Sequence, residues 1–169
     1  MRWVGISGSW RLSSEELNRD LIEAVDVVIK RGDGIVSGGA LGVDYLATER
    51  MMGVEGWEER LKVIIPTSLE VFTEHYLRRA DEGVITHGQA EKLLDQLRRV
   101  KAGGVLVEMD FEVLDTETYY ARNTEVVKSC DELLAFQING SGGVQDTVEK
   151  ARAMGKRVEL REYKVEEAR

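Results

Sequence analysis

The chain has 169 residues and a mass of 19.0 kDa, about the size of one domain, so residues 1–169 are read as a single unit. Its 43% hydrophobic and 32% charged residues, with a single Pro, exclude a disordered composition, and 23 Lys and Arg against 31 Asp and Glu leave a net charge of −8 that opposes a non-specific grip on nucleic acid. One cysteine, Cys130, excludes an intramolecular disulfide and suits a cytoplasmic protein; no apolar run reaches the roughly 20 residues of a membrane span, and the start of the chain enters a strand with no leader pattern.

Trp3 to Ile6 is an apolar run halted by Ser7-Gly8-Ser9, the pattern of a buried strand ending in a tight turn. Ser13 and Ser14 precede Glu15-Glu16, and Leu17, Leu21, Ala24, Val25 and Val28 recur at helical spacing, which predicts a helix from Ser14 to Lys30. Ile35-Val36 is a second strand that runs into Ser37-Gly38-Gly39-Ala40-Leu41-Gly42-Val43-Asp44, and a helix is predicted over Tyr45 to Met52. Leu61 to Ile65 is a third strand, ended at Pro66, which has no amide to give to a ladder. Strand alternating with helix is the pattern of a parallel sheet, so the expected fold is α/β: Rossmann-like, doubly wound, with helices on both faces of a mainly parallel sheet.

Leu69 to Glu82 and Thr86 to Lys101 both read as helices, the second opened by a Thr86/Gln89 capping box. Its stripe of Leu93, Leu94, Leu97 and Val100 fits either core or a homodimer interface. Gly103 to Leu114 is apolar but interrupted by Glu108, Asp110 and Glu112, so it is one strand with a loop or a small hairpin. A helix over Thr118 to Ser129 and a strand over Glu132 to Ile138 follow; Gly140-Ser141-Gly142-Gly143 reads as a loop, Gln145 to Met154 as a helix, Val158 to Leu160 as a last strand, and 164–169 as a frayed tail.

The small-residue turns Ser7-Gly8-Ser9, Ser37-Gly38-Gly39-Ala40 and Ser141-Gly142-Gly143 each follow a predicted strand and precede a helix. In a parallel sheet they share one rim, where glycines admit close backbone approach and helix N-terminal amides attract phosphate. Neither the Gly-x-Gly-x-x-Gly fingerprint nor a Walker sequence is present, which disfavours a dinucleotide cofactor and P-loop phosphoryl transfer. Tyr119-Tyr120-Ala121-Arg122-Asn123 adds an Arg able to pair bidentately with phosphate, an Asn able to donate to phosphate or ribose, and a Tyr ring able to stack on a base. His75 and His87 have no third ligand nearby, so no metal site is expected, and no cofactor is required beyond a nucleotide ligand.

The run Ile35-Val36-Ser37-Gly38-Gly39-Ala40-Leu41-Gly42-Val43-Asp44, followed by Tyr120-Ala121-Arg122-Asn123 and a Gly-rich turn into a helix ending Gly155-Lys156-Arg157-Val158, resembles the DprA/Smf branch of the SLOG superfamily. More distantly it resembles the LOG-type phosphoribohydrolases. The resemblance implies a Rossmann-like domain that binds nucleotides, nucleotide-derived signals or single-stranded nucleic acid at its glycine-lined rim. By position, Gly8 and Ser9 belong to the first turn; Ser37, Gly38, Gly39 and Ala40 would cradle a phosphate; Tyr120, Arg122 and Asn123 would hold phosphate, sugar or base; and Gly142 and Gly143 would close the site. Asp44 would contact ligand or cap its own helix turn. LOG-type enzymes carry Pro-Gly-Gly-x-Gly-Thr-x-x-Glu; here the matching stretch is Ser141 to Glu149, with Thr147 one place late and Glu149 in the final position.

Three functions follow from the resemblance. The first is binding of a phosphorylated nucleoside or nucleotide-derived small molecule. The second is nucleotide N-glycosidase activity of the phosphoribohydrolase type, with Glu149 and Arg122 as catalytic residues. The third is single-stranded DNA binding along a rim extended by Arg78, Arg79, Arg98 and Arg99, which the net charge disfavours.

Overall fold

A computed structural model describes residues 1–167, and the last two positions of the expected frayed tail lie outside the described residues. In chain order the elements are β1 (Trp3–Gly8), α1 (Glu15–Lys30), β2 (Gly34–Ser37), α2 (Val43–Met52), a single 3₁₀ turn (Trp57–Glu59), β3 (Leu61–Thr67), α3 (Leu69–Asp81), α4 (His87–Ala102), β4 (Leu106–Phe111), α5 (Thr116–Lys128), β5 (Glu132–Ile138), α6 (Gly142–Ala153) and β6 (Arg157–Tyr163). The six strands form one parallel sheet in the order β4-β3-β2-β1-β5-β6, the doubly wound arrangement expected from the sequence. Among the described residues no helix is long and apolar enough to cross a membrane.

The helices form where the sequence supplies both a stripe and a cap. In α1 the buried face is Leu17, Leu21, Ala24, Val25 and Val28, and the Ser14 side chain accepts from the Leu17 amide at 3.1 Å. The Thr86/Gln89 capping box is present at α4, and its leucines are core, fully enclosed with α1, α2 and α3 on one face of the sheet. The opposite face is covered by α5 and α6, which enclose Val126, Val127, Val144, Val148 and Ala151 against β2, β3 and β5. Helices on both faces seal the central strands, so β2 reads as a continuously buried run with no alternation.

Three boundaries depart from expectation, and one open alternative is decided. Strand β3 continues through Pro66 to Thr67; the missing amide is accommodated by a register irregularity against β4, where Ile65 pairs with Glu108 and Thr67 with Phe111. The Gly103 to Leu114 region resolves into one edge strand and a loop. Helix α6 starts at Gly142, so Gly142 and Gly143 form its first turn rather than a preceding loop. Strand β6 extends to Tyr163, and Lys164-Val165 is not frayed: Asn139 donates through Nδ2 to the Val165 carbonyl (2.7 Å) and accepts from its amide (3.0 Å).

The β2–α2 connection is a tight passage in the fold. Gly42 has φ +73°, and a Cβ there would overlap the carbonyl oxygen of Ser9, the same oxygen that accepts from the Val43 amide at 3.3 Å. Replacing Gly42 with Ala imposes both a strained φ and a backbone clash, and is expected to cost about 2 kcal/mol or more in urea unfolding. A loss below about 0.5 kcal/mol would show that the turn relaxes freely.

Candidate functional site

Because the sheet is wholly parallel, the turns after β1, β2 and β5 open on the same rim, and the chain reverses direction across the sheet between β1 and β5. A cleft of about 850 Å³ lies there, bounded by the β1, β2 and β5 turns, α3, and the starts of α5 and α6. Most helix N-termini are capped by their own side chains: Ser14 caps α1, Ser68 caps α3, and Asp115 with Thr118 forms a capping box on α5. Ser141 makes no such bond, so the first amides of α6, from Gly142 onward, open on the rim with the positive end of the helix dipole.

Arg122 occupies the floor. It is buried on α5 and reaches under the β2 turn to donate from Nη1 to the Gly38 carbonyl and from Nε to Asn123 Oδ1 at 3.2 Å. Gly38 permits this approach: a Cβ there would stand 2.6 Å from the guanidinium carbon. The other side of the Asn123 amide donates to the Gly143 carbonyl (3.3 Å) and to Asp146 Oδ2 (3.2 Å), and Asp146 is held in turn by Lys150 at 2.8 Å. Lys150 also donates to the Tyr120 carbonyl at 2.7 Å. A continuous polar chain thus runs from α6 through Asn123 to Arg122 and the β2 turn, and Asn123 is spent positioning Arg122 and α6.

Asp44, the second residue of α2, lines the same cleft and is 6% exposed. Its Oδ2 accepts from the Ala40 amide at 3.3 Å, so it braces the turn before its helix, while its Oδ1 has no partner. Burial pushes the carboxyl up to about 6, with the nearby Arg122 charge and the Ala40 and Gly38 amides acting in the opposite direction. The Tyr119 ring lies 5.4 Å from the Arg122 guanidinium carbon, and burial raises both the Tyr119 and Tyr76 phenols.

The structure brings most of the sequence-predicted residues together: Gly8, Gly38, Ala40, Asp44, Tyr120, Arg122, Asn123, Gly143 and Thr147 all line the cleft. Thr147 does so with its hydroxyl bonded back to the Gly143 carbonyl at 3.0 Å. The others stand outside the lining. Ser9 is buried and accepts from the Ile138 amide at 3.1 Å, tying the β1 turn to β5; Ser37 shares a 3.0 Å bond with Thr48 beneath the turn; Gly39 packs over Val63 and Ile65. Gly142 begins α6 close to the Tyr120 hydroxyl. Glu149 is exposed two turns further along α6 and accepts from Gln145 at 3.0 Å. Of the four arginines proposed to extend the rim, Arg79 lines the cleft, whereas Arg99 pairs with Glu49 at 2.9 Å elsewhere.

Sequence reading named Arg79 for the rim but did not place its α3 neighbours His75 and Tyr76 there, and all three line the cleft. Desolvation, then the Arg79 and Arg78 charges, hold the His75 imidazole below its ordinary value. Phe72, Tyr76 and Ala80 form the buried stripe of α3, and its packing over the rim brings Tyr76, with His75 and Arg79, to the site. Trp10 and Arg11 also reach the lining from the β1–α1 loop.

No protein-family model and no curated protein matches the chain. Solved structures do. DNA processing protein A from Helicobacter pylori, described for its single-stranded DNA binding mode, superposes with a TM-score of 0.69 at 20% identity, covering 94% of this chain and 64% of that one. The molybdenum cofactor binding protein from Rippkaea orientalis gives 0.62 at 17% identity over 96% of this chain and 77% of that one. The structural-genomics target TM1055 gives 0.56 at 19% identity over 94% and 72%. The chain thus spans just under two thirds of the Helicobacter protein, and these likenesses show that it shares their doubly wound, Rossmann-like α/β fold.

The Asp44 carboxyl binds its proton more tightly folded than unfolded, at about 6 against 3.8, so acidification through pH 6 relieves a penalty present at neutral pH. Relative to Asp44→Asn, which cannot ionise, the parent protein is expected to gain about 2 kcal/mol between pH 7.5 and pH 4.5 in paired urea unfolding curves. A pH-independent difference between the two would place the carboxyl in contact with solvent.

Proposed function

We propose that the cleft binds a phosphorylated nucleoside, with the phosphate on the open N-terminus of α6 and the β2 turn, and the base toward the Tyr119, Tyr120 and His75 wall. The observation that carries this reading is the convergence of uncapped α6 amides and the buried Arg122 guanidinium on one cleft. Both are positive, both are held in place before any ligand arrives, and a preorganised anion site loses little on binding. The cleft is also large enough for a mononucleotide and has aromatic rings beside its cationic floor.

Two of the fold neighbours bind single-stranded DNA or the molybdenum cofactor by their own descriptions, so single-stranded DNA is the second ligand to set beside a mononucleotide. Base release by an N-glycosidase needs a carboxylate at the sugar, and Glu149, the residue the sequence offers for that role, lies outside the lining. Binding is therefore the reading that the cleft supports best.

Thermal unfolding against nucleoside mono-, di- and triphosphates, cyclic nucleotides and short single-stranded oligonucleotides tests the reading. One nucleotide is expected to raise the Tm by several degrees at 100 times its Kd, equivalent to about 2.7 kcal/mol, with weak salt dependence. Arg122→Lys keeps the charge but loses the planar fork, and is expected to weaken that binding about 10-fold or more. A response confined to oligonucleotides and abolished by salt would transfer the site to nucleic acid.

A further inference from the structure

The two edges of the sheet differ in what a further strand beside them would meet. Among the described residues no strand lies beyond β6, and the chain after it is bonded back to Asn139 through Val165, on the β5 side. An edge strand of seven residues without proline is a ready template for pairing. Its side chains alternate: Arg157, Glu159, Arg161 and Tyr163 stand on the α1 face, where Tyr163 bonds Asp20 and Arg161 lies over the Phe136 ring, while Val158 and Leu160 pack under α6. A second copy, pairing antiparallel about a two-fold axis through Leu160, aligns all seven residues. That register sets each Glu159 opposite Arg161 of the second copy, Leu160 opposite itself and Arg157 opposite Tyr163. Sliding it by two residues, which keeps the same faces together, sets Glu159 against Glu159 or Arg161 against Arg161. The other edge lacks this match, because β4 carries Glu108 and Asp110 on one face and pairing about its middle brings carboxylate against carboxylate.

The helix above β6 agrees with the strand. Val144, Val148 and Ala151 of α6 pack against both β5 and β6, so in a continued sheet α6 stands two strand spacings, roughly 10 Å, from its copy. Helices pack at that separation. Gly143, Asp146 and Lys150 are bonded to α5, which leaves Gln145, Glu149 and Arg152 on the flank toward the β6 edge. Glu149 and Arg152 are exposed, and antiparallel copies of α6 bring one toward the other across the axis. We propose that the protein forms a two-fold dimer through β6 and α6, joining two six-stranded sheets into one. The new ladder and the α6 pair supply the contact area, whereas Glu159 and Arg161, already 3.6 Å apart within one chain, set the register more than the affinity.

Sedimentation velocity of the full chain over a concentration series tests this, with charge reversals on the two register residues. The parent protein is expected to pass from monomer to dimer as concentration rises. Glu159→Arg and Arg161→Glu each set like charges opposite one another, twice by symmetry, and each is expected to weaken the dimer about 10-fold. The double reversal sets opposite charges facing again and is expected to recover most of that loss. Hydrogen exchange of the parent protein gives a second readout: the β6 amides that point away from β5 are expected to gain protection as the dimer forms. A chain that stays monomeric overturns the proposal. So does a dimer that both single reversals leave intact, one that the double reversal fails to recover, or one that forms with the outward β6 amides unprotected. The exchange measurement needs no variant, so it decides the matter even if a reversal unfolds the chain.

Discussion

Burying the Arg122 guanidinium under the β2 turn imposes conditions on everything around it. A charged group removed from water must be hydrogen-bonded on several sides, and here the partners come from three separate segments: the Gly38 carbonyl, the Asn123 amide on the same helix, and the Asp44 carboxylate field from α2. Each partner is then itself constrained. Gly38 can carry no side chain, Asn123 must be anchored from α6 through Gly143 and Asp146, and Asp44 must be held off solvent. The cost of one buried charge is thereby spread over the rim of the sheet.

The parallel topology makes that convergence possible. The order β4-β3-β2-β1-β5-β6 brings the turns after β2 and β5 to the same edge on either side of β1, and α5 crosses back over the sheet carrying Arg122 and Asn123 between them. Ser9 then joins the β1 turn to β5 through the Ile138 amide. The result is a rim whose polar groups are oriented by backbone and by buried side chains, and rigid support of this kind is what lets a binding site act without reorganising. Helix α6 keeps its N-terminus uncapped in this setting, whereas α1, α3, α4 and α5 all close theirs.

Much of this was legible in the residues. The apolar stripes and N-caps located α1 and α4 nearly to the residue, and three small-residue turns after strands announced a shared rim before any coordinates. What escaped depends on distance along the chain. Ser9, Ser37 and Gly39 have the composition of a phosphate turn, yet two of their side chains face inward to Ile138 and Thr48, a distinction that only the pleat and the packing decide. Arg122 and Asn123 were visible as a polar pair, but their burial rests on contacts 84 and 20 residues away. On α3, Arg79 was named for the rim but His75 and Tyr76 were not, because helical spacing says that a helix packs and not which of its flanks meets a cleft. Pro66 misled for a related reason: a missing donor ends a ladder unless the neighbouring strand shifts register, and β4 does.

The central claim is that one site, built on the open end of α6 and the buried Arg122, receives an anionic ligand. Following backbone amide resonances while adding the nucleotide that stabilises the protein most would test it directly. The account predicts perturbations clustered at Gly38, Ala40, Gly143 and Val144 together with the Arg122 side chain, saturating at a single affinity. Perturbations centred on the β4 edge or the α1 face, with Gly143 and Arg122 unmoved, would contradict it.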